Sequence, residues 1–151
     1  MKYKDCIIDS LLELLILIWM SLQSFLGAFV VLITRAEKEY INFDDEVYEV
    51  YFASRFNKSW SGVSLGPFII FANSQQASCD SVKHEFGHFL QSAMLGPLYL
   101  ILIGLPSICG NLWDRFAHRN WLSKKRIKWY YSQPWEHWAD ILGNVDRGFD
   151  D

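Results

Sequence analysis

His84 and His88 stand four residues apart, with Glu85 directly after the first of them. Positions i and i+4 share a helix face, so both imidazoles can reach one tetrahedral metal ion. Glu85 projects about 100° round the helix, where it can reach a metal-bound water without ligating the ion. The pentapeptide His84-Glu85-Phe86-Gly87-His88 therefore reads as the metal-binding core of a zinc-dependent hydrolase. Two histidines on a helix can also be satisfied core groups. Here, however, two of the chain's four His residues occupy the required positions with Glu between them. Gly87 costs a helix interior about 1 kcal/mol against Ala. It suits a place where another element or the substrate passes close to the backbone.

A catalytic zinc site takes three protein ligands and keeps an open position. A metzincin continuation is excluded, because Gln91 stands where Gly is required and Met94 where a third His would be. A carboxylate on a later helix is the next source. Pro134-Trp135-Glu136-His137-Trp138-Ala139-Asp140 supplies Glu136 and Asp140 at i and i+4. Glu136 can complete the metal shell, and Asp140 can accept a hydrogen bond from a ligand His and so fix its tautomer. Asp146 lies past Gly143, outside that helix, and His137 points to another face than Glu136.

HEFGH followed by EHWAD resembles the gluzincin pattern, HExxH and then ExxAD or ExxSD on a second helix. The Ala-Asp version is similar to membrane gluzincins of the CAAX prenyl protease and HtpX heat-shock protease type. The resemblance covers about a dozen motif residues of the 151, and this chain is far shorter than those proteases. It implies Zn2+ on His84, His88 and Glu136, Glu85 as general base, and Asp140 orienting His84. The expected activity is that of a membrane-associated metallopeptidase, hydrolysing a peptide or protein bond through a zinc-bound water. Two other functions fit the same residues: a non-enzymatic membrane protein with a structural zinc, and a zinc hydrolase of a non-peptide amide. A general base between the ligands has no use in a structural site. The oxyanion needs a further donor, for which Tyr130, Tyr131, His118 and His137 are the candidates. A strand over Val63, Ser64, Leu65 and Gly66 could hold an extended peptide by strand addition, or be an ordinary packed strand.

The elements that must position these residues follow from patterning. Leu14 to Thr34 carries no charge over 21 residues, about 30 Å of helix and enough to span a hydrocarbon core. A transmembrane helix is expected there; Ser21, Gln23 and Ser24 in its middle keep a buried helix open as the alternative. A cleaved signal peptide fits poorly, because Asp5 and Asp9 spoil a basic leader. Phe89 to Trp113 is uncharged too, but Gly96-Pro97, Gly104, Pro106 and Gly110 interrupt it, so a straight helix is not expected. The metal-site residues flank this stretch. A single crossing would put them on opposite sides of the membrane, so the segment 95–113 must re-enter, lie in the interface or pack within the protein.

Between these stretches, Arg35 to Glu49 reads as a polar connector and Val47 to Phe56 as a strand or short helix. Gly62 to Phe71 reads as a strand, at an edge or bulged because Pro67 cannot donate to a ladder. Ser78 or Asp80 would cap the motif helix, which should stop near Gly96-Pro97. Asp114 to Tyr131 reads as one basic, aromatic helix, and Pro134 opens another that ends at Gly143.

With 151 residues the chain has the length of one domain. The fold expected is mainly α with a small β element (α+β, zincin-like). Residues 1–35 would form a membrane helix and 36–151 a catalytic domain enclosing the apolar segment. Six of fourteen Lys and Arg residues lie between Arg115 and Lys128, among five of the seven Trp between Trp113 and Trp138. Such a run can bind single-stranded nucleic acid. Beside apolar segments it marks an interfacial belt on the cytoplasmic side, so a lipid bilayer is the partner expected and nucleic acid is not. Lys2 and Lys4 pull that orientation the other way. Cys6, Cys79 and Cys109 are unpatterned and expected as reduced, buried thiols.

Overall fold

A computed structural model describes residues 14–15, 18–43, 45–53 and 62–149. Cys6, the charges before Glu13, Asp44, and the end of the segment at Phe56 lie outside the described residues.

The first continuous helix is α1 (Ser21–Thr34), of 14 residues. Among the described residues no single helix is long and apolar enough to cross a membrane. The burial of α1 is inverted relative to a helix of a soluble core. Gln23, Gly27 and Thr34 face inward, while Leu22, Phe25, Phe29 and Leu32 are exposed. Its inner face is held by polar bonds: Gln23 Nε2 donates to Ser92 Oγ (3.0 Å) and to the Gly96 carbonyl (2.8 Å).

The polar stretch expected as a connector instead forms β1 (Glu37–Phe43), paired antiparallel with β2 (Glu46–Phe52) over seven positions. Polar composition concealed β1 because it is an edge strand exposed over its first four residues, held there by its ladder and a Lys38–Glu49 pair, with only Ile41 and Phe43 packed against the core. Gly62 to Phe71 is a hairpin, β3 (Gly62–Leu65) and β4 (Phe68–Phe71), not one strand. Pro67 sits in its two-residue turn, where no ladder donor is required. The sheet order β1-β2-β4-β3 leaves β3 on an edge, with β2 and β4 parallel.

On one face of this sheet Tyr48, Val50, Phe52, Ile69 and Phe71 form the core together with Val82 and Ala77. Val82 and Phe86 belong to α2 (Cys79–Leu95), capped by the Ser78 side chain and ending before Gly96. One face of α2 thus docks on the sheet, with Phe86 edge-on to Tyr48 at 5.5 Å. His84 and His88 turn to the opposite side.

The interrupted apolar stretch continues as a 3-10 turn (Gly96–Leu98), a π-helical turn (Leu100–Gly104) and α3 (Leu105–Ala117). The direction changes by 117° between the segment ending at Leu98 and the one starting at Leu100, just past the Gly-Pro pair. The segment expected as one basic helix is divided by a loop at residues 118–122, so that α4 begins at Ser123 and runs to Tyr131. The loop is pinned by His118, which bonds Asp114 and stacks on Trp121 at 3.8 Å. Finally α5 (Pro134–Leu142) opens on proline and ends at Gly143. The described thiols are free but not buried: Cys79 is half-buried and Cys109 exposed.

The architecture is therefore mixed, mainly helical with one four-stranded sheet, and of the α+β kind.

Candidate metal centre

Two helices build the centre, and Gly87 sets how close they come. A Cβ at Gly87 would stand 2.0 Å from the Ala139 carbonyl oxygen. Only a glycine lets the α5 backbone cross α2 at this point. The crossing faces Glu136 and Asp140 towards His84 and His88.

His84, His88 and Glu136 are all buried, and their ligand atoms lie within 4.8 Å of one another. Glu136 Oε2 is 3.1 Å from His84 Nε2 and 3.2 Å from His88 Nε2. A tetrahedral ion with bonds of about 2.0–2.1 Å separates its ligand atoms by about 3.3 Å. This buried group can hold a metal ion almost as it stands.

The protons tell the same story. Asp140 Oδ1 lies 2.7 Å from His84 Nδ1, and Arg147 donates to both Asp140 oxygens, at 2.6 and 2.7 Å. So Asp140 is an ionised acceptor, and Nδ1 of His84 carries a proton. Gln91 Nε2 donates to the Trp135 carbonyl (2.9 Å), which turns its Oε1 to His88 Nδ1 at 2.7 Å. Nδ1 of His88 therefore carries its proton too. In the neutral imidazoles both Nε2 atoms then present lone pairs to a carboxylate oxygen, with no donor between the three. Either an imidazole takes a second proton or a cation fills the gap.

The electrostatics describe the protonated alternative. Burial opposes charge on His84, but its bonds to Asp140 and Glu136 overcome this and lift it to about 9. Burial likewise pushes Glu136 up, and His84 and His88 override it and hold the carboxyl well below its usual range. Asp140 is also lowered: burial raises it, and His84 and Arg147 outweigh the burial. Glu85 moves the other way, because burial raises it more than the neighbouring histidines lower it.

Glu136 is braced on its second oxygen. Ser107 Oγ donates to Oε1 and accepts from Tyr130 OH at 3.0 Å. The apolar segment thus reaches into the centre through Ser107. Tyr131 presents its ring to His84 at 5.0 Å, and the Arg147 guanidinium lies 3.3 Å over the same ring.

A cavity of about 690 Å3 opens beside these groups. His84, Glu85, His88 and Glu136 line it, together with Tyr130, Tyr131 and the β3 residues Val63, Ser64 and Leu65. Gly66 does not line it, and packs against Ser24 of α1 instead. Two oxyanion candidates are not brought to the site. His118 is bound into the Asp114 and Trp121 cluster, and His137 is exposed on α5. Tyr130 reaches the site, but its proton is used on Ser107.

Gln91, Ser107 and Arg147 were not identified from sequence. Gln91 follows His88 by three positions, one turn of helix, a spacing that signals contact. Nothing local marks Ser107 or Arg147, whose roles depend on chain reversals.

Comparison with protein-family models, with curated proteins and with solved structures finds no match to this chain.

Proposed function

We propose that the chain is a membrane-associated zinc metallopeptidase of gluzincin type, with His84, His88 and Glu136 as ligands. The observation that carries this reading is the convergence of two imidazole nitrogens on one carboxylate oxygen at 3.1 and 3.2 Å, with each Nδ1 committed to an acceptor. When bound, zinc supplies Lewis acidity for a scissile carbonyl and brings the pKa of a water towards about 7.

The residues of the chain do the rest. Glu85 lines the cavity beside the ligands, and its burial favours the protonated carboxyl. It can therefore take a proton from the attacking water, hold it, and return it to the leaving amine. Asp140 keeps His84 in one tautomer, and Gln91 does so for His88. Ser107 and Tyr130 hold Glu136 so that only Oε2 faces the histidines. The edge strand β3 offers backbone groups to an extended peptide along the cavity wall. Three ligands beside an open cavity suit a catalytic centre better than a closed structural one.

Membrane association is supported by the outward apolar face of α1 and by exposed Leu98, Ile101, Leu105, Leu112, Trp113 and Phe116. Apolar surface on this scale marks a partner or a bilayer. The 117° bend at Tyr99, just past Gly96-Pro97, would let the chain return to the side it left. The basic belt between Arg115 and Lys128 supports the cytoplasm as that side.

Metal analysis and hydrolysis of quenched fluorogenic peptides with apolar residues flanking the bond test the reading. Wild type should hold one zinc and cleave. Glu85→Gln should keep the zinc and lose at least a hundredfold in rate. A Glu85→Gln protein with full activity would refute the mechanism, and a wild type without zinc would refute the site.

A further inference from the structure

The cavity is not enclosed by the protein on all sides. Leu105, Ile108 and Leu112 line it, yet are 56%, 61% and 61% exposed. They occur at i, i+3 and i+7 of α3, one stripe along the helix. These leucines and the isoleucine are thus the rim of the cavity, and the rim belongs to the apolar outer surface. Ser107, beside the start of the stripe, reaches Glu136. Arg115 lines the cavity where α3 nears its end, together with Arg126, which is paired there with Asp114. The stripe therefore leads from the metal-binding groups, over about 10 Å of helix, to a basic margin. Asn111, Arg115 and Ser123 also line the cavity, so its opening is mixed, but the exposed stripe along α3 from Leu105 to Leu112 is hydrocarbon.

Resting on the metallopeptidase reading above, we propose that the substrate is a bilayer-resident peptide whose apolar segment lies along Leu105, Ile108 and Leu112. The cavity then admits the segment sideways from lipid. The basic margin sits at the headgroup level, where such residues are favoured. Selection acts on apolar length next to the bond rather than on a charged anchor.

Alkyl hydroxamates test this, because one head group chelates the metal and the tail reports the wall. On zinc-loaded protein in one fixed detergent, acetohydroxamate, hexanohydroxamate and dodecanohydroxamate are compared by competition. Affinity should climb with tail length, by up to about fourfold per methylene buried. Ile108→Asn and Leu112→Asn should lose at least tenfold for the dodecyl compound and nothing for acetohydroxamate. Ile101→Asn and Leu102→Asn alter residues that are exposed but outside the cavity, so they should change neither and thereby control for micelle partition. In phosphatidylcholine vesicles carrying a mid-chain diazirine lipid, labelling at Ile108 or Leu112 should be suppressed by dodecanohydroxamate. If acetohydroxamate fails to bind, the metal centre itself is wrong and the inference falls with it. If acetohydroxamate binds but tail length has no effect, or the Asn variants at 101 and 102 weaken it equally, the apolar subsite is overturned. Tail-dependent binding without lipid labelling at Ile108 or Leu112 would overturn the bilayer as source.

Discussion

The amide of Gln91 decides which nitrogen of His88 carries its proton. Its oxygen lies 2.7 Å from Nδ1 while its nitrogen is committed to the Trp135 carbonyl, so the amide cannot flip without losing both bonds. Gln91 is fully buried, and a leucine there would leave an unpaired N–H and an unpaired carbonyl. Gln91→Leu should weaken zinc binding by about 10- to 100-fold, read by competition with a chelator. Unchanged affinity would remove Gln91 from the centre.

On the other ligand, Arg147 plays the corresponding part from outside the helices. It forks onto both oxygens of Asp140 and covers Tyr131. An ammonium group cannot reproduce two parallel bonds and a stacked plane. Arg147→Ala should weaken zinc binding by about tenfold, and Arg147→Lys should restore little of it. The d–d spectrum of the cobalt-substituted protein should shift in both variants, as His84 loses its fixed orientation. A lysine variant matching wild type in affinity and spectrum would contradict the account.

Proton and metal compete at His84, and this gives opposite pH responses with and without zinc. Its folded pKa, near 9, is above the ordinary 6.5. In metal-free protein its contribution to stability is full below about pH 6.5 and is lost as pH rises through about 9. Zinc must displace that proton, so apparent zinc affinity should rise about tenfold per pH unit between pH 7 and 8. Thermal melts across pH 6.5–9 with chelator should fall with pH, while zinc titrations over the same range should tighten. A pH-independent zinc affinity would show that His84 is neutral before metal arrives.

Two glycines separate folding from chemistry. Gly87→Ala forces a methyl against the Ala139 carbonyl and should cost about 3 kcal/mol or more, detectable as a fall in Tm and loss of zinc. Gly62→Ala places its methyl 2.7 Å from both Glu85 Oε1 and Phe71 Cε1. Because Phe71 is locked in the core, the Glu85 carboxylate should move instead. The variant should retain zinc and lose most hydrolytic rate; loss of both together would mean the hairpin, not Glu85, yields.

The site was legible where one turn of helix carries the information. His84, Glu85 and His88 declared themselves by spacing, as did Glu136 and Asp140, and Gly87 by its cost in a helix. Pro134 and Gly143 bounded α5, and Gly96-Pro97 bounded α2. Strand β1 was not legible, since its first four residues are exposed and held by the ladder, and the alternation is confined to Ile41 and Phe43 at its end. The division between α3 and α4 was hidden too. It depends on Asp114 gathering His118 and Arg126, a long-range contact that local propensity does not announce beyond the turn-favouring Asn120.

What the sequence determined by itself is the chemistry available: two imidazoles, a carboxyl beside the first of them, and two further carboxylates at helical spacing. Only the tertiary structure decided which of those groups meet and what holds them. Ser107 arrives from an apolar segment that turns back through 117°, and Arg147 from the tail beyond α5. The physical reason is that local spacing follows from backbone periodicity, which any single helix obeys. The orientation of a ligand instead depends on hydrogen bonds across helices, and these exist only once Gly87 lets the two backbones touch.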